Sequence, residues 1–129
     1  MTRSRVGSVV IDCTDLTAMA AFWQEALGYR PRDVPDDDFV VLSHPAGGRV
    51  NVSLQRVSEA RTGKNRLHMD LYTDTQAAEV ARLLELGATR HPRAAEPGED
   101  FVLLCDPEGN VFCVVDTAPR AGAVGDGRS

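Results

Sequence analysis

Few side chains in this sequence combine a reactive type with a telling spacing. His68 and Asp70 lie two residues apart in the alternating run Leu67 to Tyr72. On a strand both therefore point to one face. An imidazole beside a carboxylate is a proton carrier near neutral pH, with the acid orienting the ring. The pair reads as a candidate catalytic base. The competing reading has Asp70 pairing with Arg66 or capping a loop. Asp12 stands four residues after Ser8 and answers Asp70 in the repeat described below. Two such acids can share a proton or hold a cationic ligand. Cys113 would need a depressed pKa to act as a nucleophile. No Cys–His–Asn signature surrounds it, and a small buried filler is the simpler role. Lys64, Asn65 and Arg66 can hold an anionic group, or serve only as a solvated linker. Asp36, Asp37 and Asp38 read as a solvated turn, because a calcium loop needs spaced oxygen ligands and a Gly bend.

The elements that must position these groups occur twice. Leu27-Gly28 recurs as Leu86-Gly87, 59 residues on. Asp38-Phe39-Val40-Val41-Leu42 recurs as Asp100-Phe101-Val102-Leu103-Leu104, 62 residues on. His44-Pro45-Ala46-Gly47 answers Asp106-Pro107-Glu108-Gly109 at the same offset. Three landmarks in one order point to an internal duplication. Each half predicts a strand (Val6 to Asp12; Leu67 to Tyr72), then a helix. The first helix spans Asp15 to Leu27, with Leu16, Met19, Ala20, Trp23, Ala26 and Leu27 at helical spacing. Trp23 reads as core. The second spans Thr73 to Leu86, with Thr73 and Gln76 as a capping box. A weak strand follows each helix (Tyr29 to Val34; Ala88 to Arg93). Then come the Phe-Val-Val-Leu strand, a Pro-x-Gly turn and a closing strand (Arg49 to Arg56; Asn110 to Val115). Each half is thus βαβββ, and the fold class is α+β. The expected domain is 1–117, built of repeats at about 5–56 and 66–116, with a flexible tail over 118–129.

Alternation along the strands separates two faces. Val9 and Ile11 oppose Ser8, Val10 and Asp12. Val50, Val52 and Leu54 oppose Asn51, Ser53 and Gln55. Met69 and Leu71 oppose His68, Asp70 and Tyr72. Phe112 and Val114 oppose Cys113 and Val115. The apolar sets belong under the helices. The other sets are rich in Ser, Asp, Asn, Gln, His, Tyr and Cys, not in the Lys and Glu of a merely solvated surface. Two curved mixed sheets with helices outside would make a cup, and such a cup is a small-molecule site. The candidate ligand-binding residues are Ser8, Asp12, Asn51, Ser53, Gln55, Arg66, Tyr72 and Cys113, beside His68 and Asp70.

Composition excludes other classes. The 129 residues carry 14 Lys+Arg against 19 Asp+Glu, a net charge of −5 that argues against nucleic acid as a partner. No apolar run approaches the roughly 20 residues of a membrane helix. Three cysteines (Cys13, Cys105, Cys113) without close-pair spacing suggest thiols in a cytoplasm, not a disulfide framework.

These features together resemble the vicinal oxygen chelate superfamily, which includes glyoxalase I, extradiol dioxygenases and bleomycin resistance proteins. Asp15-Leu16, Ala21-Phe22-Trp23 and Leu27-Gly28-Tyr29 are similar to its first helix. Asp106-Pro107-Glu108-Gly109-Asn110 is similar to its turn before the last strand. Thr62 to Asp70 looks like its glyoxalase-like branch. The resemblance covers about residues 5–116. It implies that metal-using members take one ligand from the first and one from the last strand of each half. Those positions fall on Ser8, His68, Cys113 and Asn51, with Ser53 or Gln55 in place of Asn51 if the strand slips. Only His68 matches the usual ligand types, and His68 and Cys113 are the only plausible ligands. The usual divalent-metal site is therefore not expected, nor any other cofactor. The expected function is binding of a small organic molecule. The alternatives are a lyase or isomerase using His68 with Asp70 as base, or a metal-dependent glyoxalase-like or dioxygenase-like enzyme. A homodimer is implied by the resemblance.

Overall fold

The structure is a computed structural model and describes residues 5–60, 62–63 and 67–119. Lys64, Asn65, Arg66 and the expected tail from 120 onward lie outside the described residues. The chain divides into two units between Thr62 and Gly63, inside the polar linker. Each unit is a βαβββ module, and the fold is α+β.

The first module runs β1 (Ser8–Cys13), α1 (Leu16–Leu27), β2 (Arg30–Pro31), β3 (Phe39–Ser43) and β4 (Asn51–Arg56). Its sheet order is β1-β4-β3-β2, with β1 parallel to β4 and the other pairs antiparallel. The second module repeats this as β5 (Asp70–Thr73), α2 (Gln76–Leu86), β6 (Thr89–Arg90), β7 (Phe101–Cys105) and β8 (Val111–Asp116). Its order is β5-β8-β7-β6, with β5 parallel to β8. Parallel pairing of the first and last strands needs a long crossover, which the helix and the intervening strands supply.

Each helix forms where its apolar stripe can be buried. Met19, Ala20, Phe22, Trp23 and Ala26 of α1 are buried, Trp23 to 1% exposure, as its place on the stripe predicts. In α2 only Val80 and Leu83 are buried. The sheet sides of these cores are Val40, Leu42, Val52 and Leu54 in one module, and Leu104, Phe112 and Val114 in the other. Asp15 caps α1 through its carboxylate, which accepts from Ala18 N at 3.0 Å. Gly28 ends it in the left-handed conformation (φ 69°) that glycine adopts without cost. Among the described residues no helix is long and apolar enough to cross a membrane.

Local expectations needed two corrections. The helix-capping box of Thr73 and Gln76 does not form: Thr75 is the N-cap, and α2 starts at Gln76. Gln76 Nε2 instead donates to the carbonyls of Val114 (2.9 Å) and Asp100 (3.1 Å), pinning the helix start to β8. The weak strands shrink to two-residue ladders, Arg30–Pro31 and Thr89–Arg90. Pro31 and Pro92 lack the N–H that a longer ladder would use.

Candidate functional site

Ladder partners on adjacent strands point to the same side of a sheet, so the register assigns every candidate to a face. In the first module Ser8 faces Asn51, Val10 faces Ser53, and Asp12 faces Gln55. All six share the face opposite the buried Val52 and Leu54. Ser8 and Asp12 are exposed, Gln55 is exposed, Asn51 is half-buried, and Ser53 is 2% exposed. The Ser8 and Ser53 hydroxyls hydrogen-bond each other at 2.7 Å.

In the second module Asp70 faces Cys113 and Tyr72 faces Val115, again opposite the buried Phe112 and Val114. The two registers fix how the halves correspond. Ser53, flanked by Val10 and Val41, is the counterpart of Cys113, flanked by Asp70 and Leu103. The slipped alternative, not Asn51, is therefore the equivalent position in β4. Ser8 then answers His68, Val10 answers Asp70, and Asp12 answers Tyr72. The expected match of Asp12 with Asp70 fails by two residues, because β1 and β4 are both paired along six residues without a bulge.

His68, Asp70 and Cys113 come together. His68 Nε2 lies 3.2 Å from Asp70 Oδ1, with the two side chains 53% and 45% exposed. The imidazole nitrogen, a carboxylate oxygen and Cys113 Sγ all lie within 4.8 Å of one another. The Cys113 thiol is 6% exposed and hydrogen-bonded to Asp70. Burial pushes its pKa up to about 11, and the Asp70 charge and hydrogen bond push in the same direction. A catalytic thiolate needs the opposite shift, with the imidazole next to sulfur. Here Asp70 lies beside both the ring and the sulfur and favours the neutral thiol. Tyr72 is 65% exposed on the same face of β5. Arg66 lies outside the described residues.

Sequence reasoning missed two charged neighbours. Arg93 and Glu99 pair at 2.9 Å, Arg93 lies 5.6 Å from the centre of the Phe101 ring, and both charges act on the Cys113 thiol. The Glu96 N–H and the Arg93 guanidinium hold the Glu99 carboxyl below the usual carboxylate range. Both sit in the aperiodic segment before β7, where spacing carries no signal. A separate groove at the start of α1 is lined by Thr14 to Thr17, Asp36, Asp37 and Arg56. Two of its three acids serve the backbone: Asp15 caps α1, and Asp36 accepts from Asp38 N and Phe39 N.

Paired βαβββ modules with polar groups on the sheet face opposite the helices define a glyoxalase-like protein. A family model described as glyoxalase-like domain matches residues 8–115. The chain belongs to that family, and so to the vicinal oxygen chelate superfamily that its motifs resemble. Among solved structures it is similar to a glyoxalase/bleomycin resistance protein/dioxygenase family enzyme from Burkholderia phytofirmans PsJN. They share 23% identity at a TM-score of 0.69, over 88% of this chain and 98% of that one. It is similar to the trypanothione-dependent glyoxalase I of Leishmania major, with 19% identity and a TM-score of 0.64, covering 88% and 87%. It is also similar to the bleomycin-binding protein of Streptomyces verticillus complexed with copper(II)-bleomycin: 18% identity, TM-score 0.62, covering 90% and 98%. At these identities the likeness is one of fold. No curated protein matches the chain.

The positions of the first module equivalent to His68 and Cys113 carry hydroxyls, Ser8 and Ser53, bonded to each other at 2.7 Å. Neutral hydroxyls are poor ligands for nickel, zinc or iron.

Proposed function

We propose that this protein binds a small organic molecule on the sheet face opposite α2, without the family's shared metal centre. The observation that carries the reading is the His68–Asp70 pair: two half-exposed polar groups, 3.2 Å apart, beside a nearly dry thiol. A solvated sheet face seldom holds a neutral buried thiol against a carboxylate, because burying that contact has a desolvation cost. The polar end of the ligand meets His68 and Asp70, and a planar or apolar part lies over Tyr72. The bleomycin-binding relative shows that this fold can hold a large organic ligand. The same reading takes the protein as a cytoplasmic homodimer.

The test is a thermal-shift screen of small organic molecules, followed by calorimetry on the best binder. Saturable binding without conversion is expected. His68→Gln and Tyr72→Ala should each weaken it at least about tenfold. Affinity unchanged in both variants removes this face from the site. The His–Asp contact supports a second reading, a lyase or isomerase in which Asp70 orients His68 as base. Conversion of the bound molecule, lost in His68→Gln while binding persists, would establish that reading.

A further inference from the structure

We infer that the proposed binding face selects an aromatic acid, a flat ring system whose anionic group is received by the Arg93 guanidinium. The inference rests on that face and deepens it, and its test separates the two.

The strand register lays an apolar row across the second sheet. Tyr72 of β5 and Phe101 of β7 both pair with Val115 of β8. The three side chains therefore share the face opposite the buried Val114. Neighbouring strands lie about 4.8 Å apart, so the row runs about 10 Å from Tyr72 to Phe101. Tyr72 is 65% exposed, while Val115 and Phe101 are half-buried. At the Phe101 end stands a cation: Arg93 Cζ lies 5.6 Å from the centre of the ring. A flat ring laid on this row meets aromatic and β-branched side chains, and a group on its edge meets the guanidinium.

Arg93 is held ready for an anion. Its Nη2 pairs with Glu99 Oε2 at 2.9 Å, and the Glu99 side chain is only 16% exposed. Glu99 is anchored in turn, its Oε1 accepting from Glu96 N at 3.1 Å. Carboxylate and ring thus fix the guanidinium before a ligand arrives, while the Arg93 side chain stays 38% exposed. A guanidinium carries its N–H donors in a planar fork, so pairing with one carboxylate leaves an edge for a second. The acid of the ligand is kept from the Asp70 carboxylate, because Asp70 stands on β5, on the other side of β8 from β7. His68 and Asp70 are left for a neutral hydrogen-bonding group on the ring.

An ion pair that merely ties the segment before β7 to the sheet accounts for Arg93 and Glu99, but not for an exposed tyrosine in the same row. The first module is the internal contrast. In its matching row Asp12 and Phe39 both pair with Gln55, so a carboxylate and an amide replace the aromatic and the valine.

The experiment is calorimetry on the full chain with 1-naphthoate, 2-naphthoate and phenylacetate, each against its carboxamide, and with 1-naphthylmethylamine. Saturable binding of at least one acid is expected, about tenfold or more tighter than its amide, as a charged hydrogen bond warrants. Arg93→Gln should bring the acid down to the level of its amide. Arg93→Lys should restore only part of the preference, because an ammonium lacks the fork. Glu99→Gln should retain the preference for the acid. Circular dichroism checks that each variant keeps the native fold. No saturable binding of any acid, or tighter binding of the amine, would overturn the inference. Equal loss in Arg93→Gln and Glu99→Gln would make the pair a structural tie and overturn it too. Acid binding that needs Arg93 but is unchanged in Tyr72→Ala would take the anion off this face. Acid and amide bound equally, and both weakened in Tyr72→Ala, would remove Arg93 from the site while leaving the proposed binding face standing.

Discussion

The two modules share a scaffold and differ in what they do with it. Both pair the first strand with the last in parallel, and both bury the alternate residues of the closing strand under a helix. The first module invests in packing. Its helix buries five side chains, including Phe22 and Trp23 in an edge-to-face contact at 5.0 Å, against two in α2. The second module sets an imidazole, a carboxylate and a thiol side by side. Its sheet face holds His68, Asp70 and Cys113 where the first holds Ser8, Val10 and Ser53. The two modules thus agree on the side of each sheet that makes the fold and differ on the other side.

The packing contrast predicts the largest effect. Trp23 and Leu83 occupy matching places eight residues after the caps Asp15 and Thr75. Trp23→Ala should cost about 3–5 kcal/mol, and Leu83→Ala about 2–5 kcal/mol. Urea denaturation of both variants checks this. A smaller loss at Trp23 than at Leu83 would show that the first module is not the better-packed one.

The turns before the closing strands differ next. Asp106 is 2% exposed, and its Oδ1 accepts from Glu108 N and Asn110 N at 3.0 and 2.9 Å. Asn110 Nδ2 donates to both carboxylate oxygens, and Gly109 closes the turn at φ 86°. In the matching turn His44 Nδ1 accepts from Ala46 N alone at 3.0 Å, in an exposed setting. Asp106→Ala should cost about 2–3 kcal/mol, because it leaves several part-buried donors unpaired at once. His44→Ala should cost less than about 1 kcal/mol. Melting curves of the two variants give the ranking.

The polar contrast predicts a pH effect confined to one module. The folded pKa of Cys113 is about 11, above the roughly 8.5 of an exposed thiol. A raised acid pKa means the folded state holds its proton longer than the unfolded one. The contribution is complete below about 8.5 and is lost as pH rises toward 11. The protein should lose about 3 kcal/mol across that range. Cys113→Ala should lower stability at neutral pH but flatten the alkaline slope. Ser53→Ala should leave the slope unchanged.

Most of the scaffold was legible in the sequence because burial repeats with the period of the element. The Phe-Val-Val-Leu segments, the helix stripe through Trp23 and the Leu-Gly stops all carry that signal. Strand ends were off by one to three residues: β1 starts at Ser8, not Val6, and β5 at Asp70, not Leu67. Terminal residues lose their ladder partners without changing their polarity pattern. The site was half legible. Two-residue spacing placed His68 and Asp70 on one face, but the Asp70–Cys113 contact depends on the β5–β8 register. That register joins residues 43 apart in the chain, and no local pattern encodes it. Arg93 and Glu99 reach the cluster from an aperiodic segment, so only the folded chain reveals them.

The helix starts show the same divergence at its smallest scale. Asp15 accepts from Ala18 N at 3.0 Å and satisfies one of the first-turn amides of α1. In α2, Thr75 holds the N-cap position, but among the described residues its side chain makes no capping hydrogen bond. Its Oγ1 lies 3.2 Å from Thr73 Oγ1 instead, while Gln76 ties the helix start to β8. Asp15→Ala should therefore cost about 1 kcal/mol, the ordinary worth of a working cap, while Thr75→Ala should cost only a few tenths. Gln76→Ala should exceed Thr75→Ala, because it leaves the Val114 and Asp100 carbonyls without the donor that spans them. Equal losses at Asp15 and Thr75 in chemical denaturation would show that both helices start by the same device. The predicted order instead makes α1 a locally capped helix and α2 one held by its sheet.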